Sequence, residues 1–233
     1  MRQTDARVET SRAVEPAAGM PSTPGVYLYW IPLGAGAHVV LISGKIYERL
    51  SAFIHRRPRR DLYHSALVAV TEDGPFVVEM TPIPRTGDGD DRGVVAEGPV
   101  GTRWAGRLRV FRYEIRRWHG GVIPDLSFAV SSPVRIAQDA DGARRVLDLV
   151  PLVPTPVWGR DEVRAGEMWN SNSVVSWILV GAGLAVNAGQ PPGGGRAPGW
   201  DAGLTVARAL TADGSLGGLT PRCAGDMQAA RRR

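Results

Sequence analysis

The sequence is poor in the residues that build reactive or cross-linked sites. It has a single cysteine, Cys223, so neither an intrachain disulfide nor a cysteine-based zinc site can form. It has a single lysine, Lys45, and the net charge of +5 therefore rests on arginine. So modest a balance, with an arginine skew that reads as coding bias, does not point to phosphate binding. Long apolar runs are missing too: Val174 to Val186, interrupted by Ser176, falls short of the roughly 20 residues of a spanning helix. Met1 to Met20 carries charges throughout and no apolar centre, so neither a secretory signal nor a membrane anchor is expected there. A cytoplasmic location is the default expectation. Of the four histidines, His38, His55 and His119 are scattered without metal-ligand spacing, and no metal site is expected.

What is present is a chain of 233 residues, enough for one domain with a substantial core. Residues 1–23 are polar and rich in Ala, Pro and charge, and read as a disordered leader; 24–208 carries the domain; 209–233 reads as a flexible, arginine-terminated tail. Val26 to Ile31 is aromatic and β-branched and predicts a strand. Gly34 and Gly36 after it lack the third glycine of a dinucleotide fingerprint, since position 39 is valine, and no cofactor is expected. Ser43 to about His55 predicts a helix. Arg56-Arg57-Pro58-Arg59-Arg60 is a candidate nucleic-acid or anionic-surface patch, but a solvated connector accounts for it better.

Leu62 to Thr71 and Pro75 to Thr81 flank Glu72-Asp73-Gly74, a strong hairpin signal. His64 and Glu79 lie on its two arms at similar distances from the tip. Asp88, Asp90 and Asp91 lack the closing glutamate of a calcium loop. Arg107 to Trp118 alternates as a long strand with one wet face, with a bulge near Val110 and Phe111. Ala140 to Val150 predicts a short helix, and a short element to Leu210 is expected to follow Pro198-Gly199-Trp200-Asp201. The tryptophans at 104, 118, 158, 177 and 200 are expected to serve in core and rim packing.

The most informative stretch runs from Trp169 to Leu184. Asn170, Ser171, Asn172 and Ser173 are cap-forming residue types, and Val174, Val175, Ile178, Leu179 and Ala182 recur at helical spacing. A buried helix with a polar mouth follows, and its N-terminus can act as a nucleophile site, an anion site or a plain cap. The plainest account is that Asn170 and Ser171 cap the helix while His64 is a partly buried strand histidine.

The order of parts, a strand holding Tyr63-His64-Ser65-Ala66-Leu67 followed by more strands and then by Asn170-Ser171-Asn172-Ser173 opening a helix, resembles the circularly permuted papain-like proteins. These include relatives of the NlpC-type peptidases and lecithin retinol acyltransferase. The resemblance covers roughly His64 to Leu184 and implies an α+β domain, an antiparallel sheet packed against a buried helix. By it, Ser171 takes the place of the nucleophilic cysteine, as in a bacterial branch of that superfamily. His64 would be the general base and Glu79 the residue that orients the histidine. Asn170, Asn172, Ser173 and Trp169 would then border a cleft for an unknown small-molecule or peptide ligand, with peptide, glycan and lipid as the candidate classes. Serine is harder to activate than cysteine: it needs a base within hydrogen-bond reach and donors for the oxyanion. The resemblance therefore implies a binding cleft with little or no hydrolysis, or else a serine amide or ester hydrolase or acyltransferase.

Overall fold

The computed structural model describes residues 20–33, 61–83, 93–123, 126–186 and 190–213. The Gly34–Gly36 loop, the helix expected from Ser43 to His55, His38, Arg56–Arg60, Asp88, Asp90, Asp91, Cys223, and nearly all of the leader and tail lie outside these residues. Among the described residues six strands form one antiparallel sheet: β1 (Gly25–Pro32), β2 (Tyr63–Thr71), β3 (Gly74–Pro82), β4 (Val94–Pro99), β5 (Arg112–His119) and β6 (Val134–Ala137). Their order across the sheet is β4-β5-β3-β2-β1-β6. Three α-helices among the described residues pack with it: α1 (Ala140–Leu149), α2 (Ser171–Gly181) and α3 (Trp200–Ala212). The chain is thus an α+β domain.

The Asp73-Gly74 turn joins β2 to β3 with Thr71 opposite Gly74. Gly74 takes a φ of 110°, a conformation that a side chain resists. β1 pairs with β2 along its whole length, from Gly25 opposite Val70 to Pro32 opposite Tyr63.

Strand alternation divides the interior into two cores. On one face, Val26, Leu28 and Trp30 of β1 and Tyr63, Leu67 and Ala69 of β2 pack with Val146 of α1 and Val174, Val175 and Ile178 of α2. On the other, Tyr27, Tyr29 and Ile31 pack with Ala66, Val68, Val70, Val77 and Ile123. All three helices contribute to the first core. Tyr29 lies in the second, its phenol pushed up to about 12 by burial and by Tyr27.

α2 is enclosed from Asn172 to Leu179, eight consecutive buried residues, with its polar members Asn172, Ser173 and Ser176 hydrogen-bonded. Close contact with α3 rests on Gly203, where a Cβ would come within 2.0 Å of the Ser173 carbonyl oxygen. No helix among the described residues is long and apolar enough to cross a membrane.

Two expectations are corrected. β5 begins at Arg112: Arg107 to Phe111 alternates like a strand, but Ala105–Arg107 and Arg109–Phe111 form successive 3-10 turns. The face of β5 expected to be wet is so only at Arg112: Glu114 is 1 % exposed and Arg116 is 9 % exposed. They lie there because Tyr113 and Ile115 claim the helix side of the sheet, which turns Glu114 and Arg116 to the second face. There Arg116 Nη1 donates to Glu79 Oε1 at 3.0 Å and its Nε to Glu114 Oε1 at 2.5 Å, and the guanidinium lies 5.9 Å from the Trp118 ring centre.

Candidate functional site

The polar mouth of α2 meets the start of β2 and the segment from Arg196 to Trp200. The backbone brings these parts together. The β2–β3 ladder ends at Leu67–Val78, and beyond it Arg196 takes over: its N–H donates to Asp61 O and its carbonyl accepts from Tyr63 N, each at 2.8 Å. Gly195 permits the approach, since a Cβ there would lie 2.4 Å from the Tyr63 ring.

Asn170 is the N-cap of α2. Its Oδ1 accepts from Asn172 N at 2.9 Å and from Ser173 N at 3.4 Å, while its own N–H donates to Ser173 Oγ at 3.0 Å, a reciprocal capping box. The Asn170 amide also donates to Pro198 O at 2.7 Å. Ser173 Oγ donates to Gly199 O at 2.7 Å, and one turn on Ser176 Oγ donates to Trp200 O at 2.7 Å. The polar residues of the first turns therefore tie α2 to the chain entering α3.

Asn172 ties it to the sheet. Its Oδ1 accepts from Ser65 Oγ at 2.8 Å, and its Nδ2 donates to Tyr63 O at 3.0 Å and to Pro198 O at 2.9 Å. Both side chains are buried, so these bonds replace water rather than compete with it. Ser65 is the partner that sequence reasoning missed. Its signal is a hydroxyl inside an otherwise apolar strand, which must find an acceptor once buried.

The strand that points Ser65 at α2 points His64 away. His64 is paired with Ile31 of the second core, and Ser65 with Trp30 of the first, so the two side chains leave opposite faces of the sheet. Ser171 and His64 are therefore not brought together on one face. Glu79 shares the second face with His64, where it lies opposite Arg116 of β5 and is ion-paired with it. The β2–β3 ladder stops short of both Glu79 and His64.

Ser171, at the first helical position, is half-buried, and its hydroxyl makes no hydrogen bond among the described residues. The N–H groups of Asn172 and Ser173, which an oxyanion would use, already face Asn170 Oδ1. Trp169 is fully buried, held by its N–H to Arg160 O at 2.9 Å, and belongs to the core rather than to the rim of a cleft. Asn172 and Ser173 are enclosed as well. His119 is engaged at the hairpin tip, with Nε2 2.8 Å from Asp73 O and its ring against Phe76.

Glu167 buttresses the same corner. Its carboxylate accepts from Gly199 N at 2.7 Å and from Arg196 Nη2 at 3.1 Å. Burial pushes this carboxyl above its ordinary value of 4.5; the nearby Asp201 adds to the effect, while the Gly199 N–H and Arg196 oppose it. The folded state then holds the proton more tightly than the unfolded chain does. Glu167 is not penalised below pH 4.5, and stability is lost as pH rises through the folded value. Glu167→Gln is accordingly expected to gain stability relative to the native protein between pH 4.5 and about pH 7. Urea unfolding at the two pH values reads this, and parallel profiles would show that Glu167 is not the titrating group.

Among the described residues no group of three histidine, cysteine, aspartate or glutamate side chains is placed to hold a metal ion. No protein-family model matches the sequence, and no significant match emerges among curated proteins or solved structures.

Proposed function

We propose that the protein acts by binding another molecule, not by cleaving one, in a domain whose chain order follows the permuted papain-like proteins. That likeness is supported by the sequence of parts: a strand with Tyr63-His64-Ser65, further antiparallel strands, then a buried helix opened by Asn170-Ser171. The resemblance carries over a peptide, glycan or lipid as the ligand class.

One observation carries the noncatalytic reading. The Asn172 and Ser173 N–H groups at the mouth of α2 are taken up by the Asn170 side chain, while His64 leaves the opposite face of β2. A serine nucleophile needs a base that removes its proton as attack occurs, and donors free for the developing oxyanion. With both engaged elsewhere, Ser171 is an ordinary helix-opening serine.

A fluorophosphonate probe tests the reading. The folded protein is expected to gain no adduct mass at Ser171, and Ser171→Ala to change stability by no more than about 0.5 kcal/mol. Stoichiometric labelling of Ser171 that disappears in His64→Ala would overturn it and restore the hydrolase.

A further inference from the structure

The connection between β4 and β5 gathers several exposed apolar side chains in one short loop. It is ordered: Val100 N donates to Phe111 O at 2.8 Å and closes its base, and Leu108 N and Phe111 N form successive turns with Ala105 O and Leu108 O at 2.9 Å each. Arg112 Nε reaches across it to Gly106 O at 2.8 Å, and Gly106 lies against Pro99, where a Cβ would come within 2.6 Å. Yet this well-made loop turns its large apolar side chains outward. Trp104 is 72 % exposed, Val110 65 %, Leu108 54 % and Phe111 45 %. Four such residues within eight positions make an apolar projection, and single scattered ones would need no explanation.

Arginines are interleaved with them. From Gly101 to Arg112 the chain has four arginines and no acidic residue. Arg103 is paired with Glu162 and Arg112 with Glu97, while Arg107 and Arg109, in the middle of the apolar set, form no ion pair among the described residues.

We propose that the Trp104–Phe111 loop is a membrane-docking surface that inserts its apolar tip into the interfacial region of an anionic lipid bilayer, with Arg107 and Arg109 on the headgroup phosphates. Tryptophan favours the interface because its ring is apolar and its N–H polar, and aliphatic side chains beside it enter the acyl boundary. Arginine near the surface adds attraction to anionic headgroups. A nucleic-acid partner fits less well, because Leu108 and Val110 offer no ring face on which a base could stack. The surface is separate from the mouth of α2 and stands whether or not Ser171 is chemically silent.

Vesicle co-sedimentation tests this. The full chain is expected to bind phosphatidylcholine vesicles containing about 30 mol % phosphatidylserine, to bind pure phosphatidylcholine far less, and to lose affinity as salt rises. Neutralising Arg107→Gln and Arg109→Gln together should weaken partition about 30-fold, from about fivefold per arginine. Trp104→Ser with Leu108→Ser should weaken it at least about tenfold. All four side chains are exposed, and both double variants are expected to melt as the native protein does. Equal sedimentation with both vesicle types, none with either, or native affinity in either variant pair would overturn the proposal. So would a homodimer, or an oligonucleotide complex, that the same substitutions abolish.

Discussion

Arg116→Met is expected to destabilise the protein by about 3–5 kcal/mol, a fall in melting temperature on the order of 10 °C. Arg116 stands between two carboxylates on the second face of the sheet, with the Glu114 side chain 2 % exposed and Glu79 15 % exposed. Taking charges from water is costly, and the guanidinium supplies positive charge to both carboxylates. Methionine keeps much of the side-chain volume but leaves two negative groups on neighbouring strands without the cation between them. Replacing both glutamates by leucine in the Arg116→Met background removes the two carboxylates and should recover a large part of the loss. Equilibrium urea unfolding of both variants checks these statements. An Arg116→Met variant as stable as the native protein would mean that water reaches the ion triad freely.

Asn172→Ala is expected to cost about 3 kcal/mol, the second large effect. The amide makes three hydrogen bonds, to Ser65 Oγ, Tyr63 O and Pro198 O, and all are out of contact with water. Alanine leaves two carbonyls and a hydroxyl in the interior without that partner, and it frees α2 from both β2 and the chain entering α3. Aspartate is no better, because it would set a carboxylate against two carbonyl oxygens. Thermal melts of Asn172→Ala and Asn172→Asp compared with Ser171→Ala separate the neighbours. The first two should melt well below the native protein and the third beside it. A catalytic serine behaves differently, since removing a functional group held under strain commonly raises stability.

Much of this fold was legible in local chemistry. The Asp73-Gly74 turn announces the β2–β3 hairpin because glycine accepts the positive φ the turn needs. Asn170 announces the start of α2, four residues ahead of the apolar periodicity that begins at Val174, and the capping box forms as its residue types suggest. Trp200 to Leu210 proves helical, within α3. The β5 boundary was not legible, because Arg107-Leu108-Arg109-Val110 alternates as a strand does while forming turns that expose their apolar members. β6 was missed: four residues on the sheet edge carry too short a pattern.

The site failed for a different reason. Ser65-Ala66-Leu67-Val68-Ala69-Val70 is buried on both faces, so its sequence carries no contrast that assigns one face to the helices. Only the register with β1 decides that Ser65 faces α2 and His64 faces away. A shift of one residue would exchange them, and with them the whole functional reading.

The corner between β2 and α2 is a structural latch, closed by the buried bond from Ser65 to Asn172. In a double-mutant cycle of Ser65→Ala and Asn172→Ala, followed by urea unfolding, a buried bond between the two side chains predicts that the pair loses about 1 kcal/mol less than the sum of the single variants. Strict additivity, with Ser171→Ala and His64→Ala coupled instead, would contradict the latch and place the working chemistry of the protein at the serine.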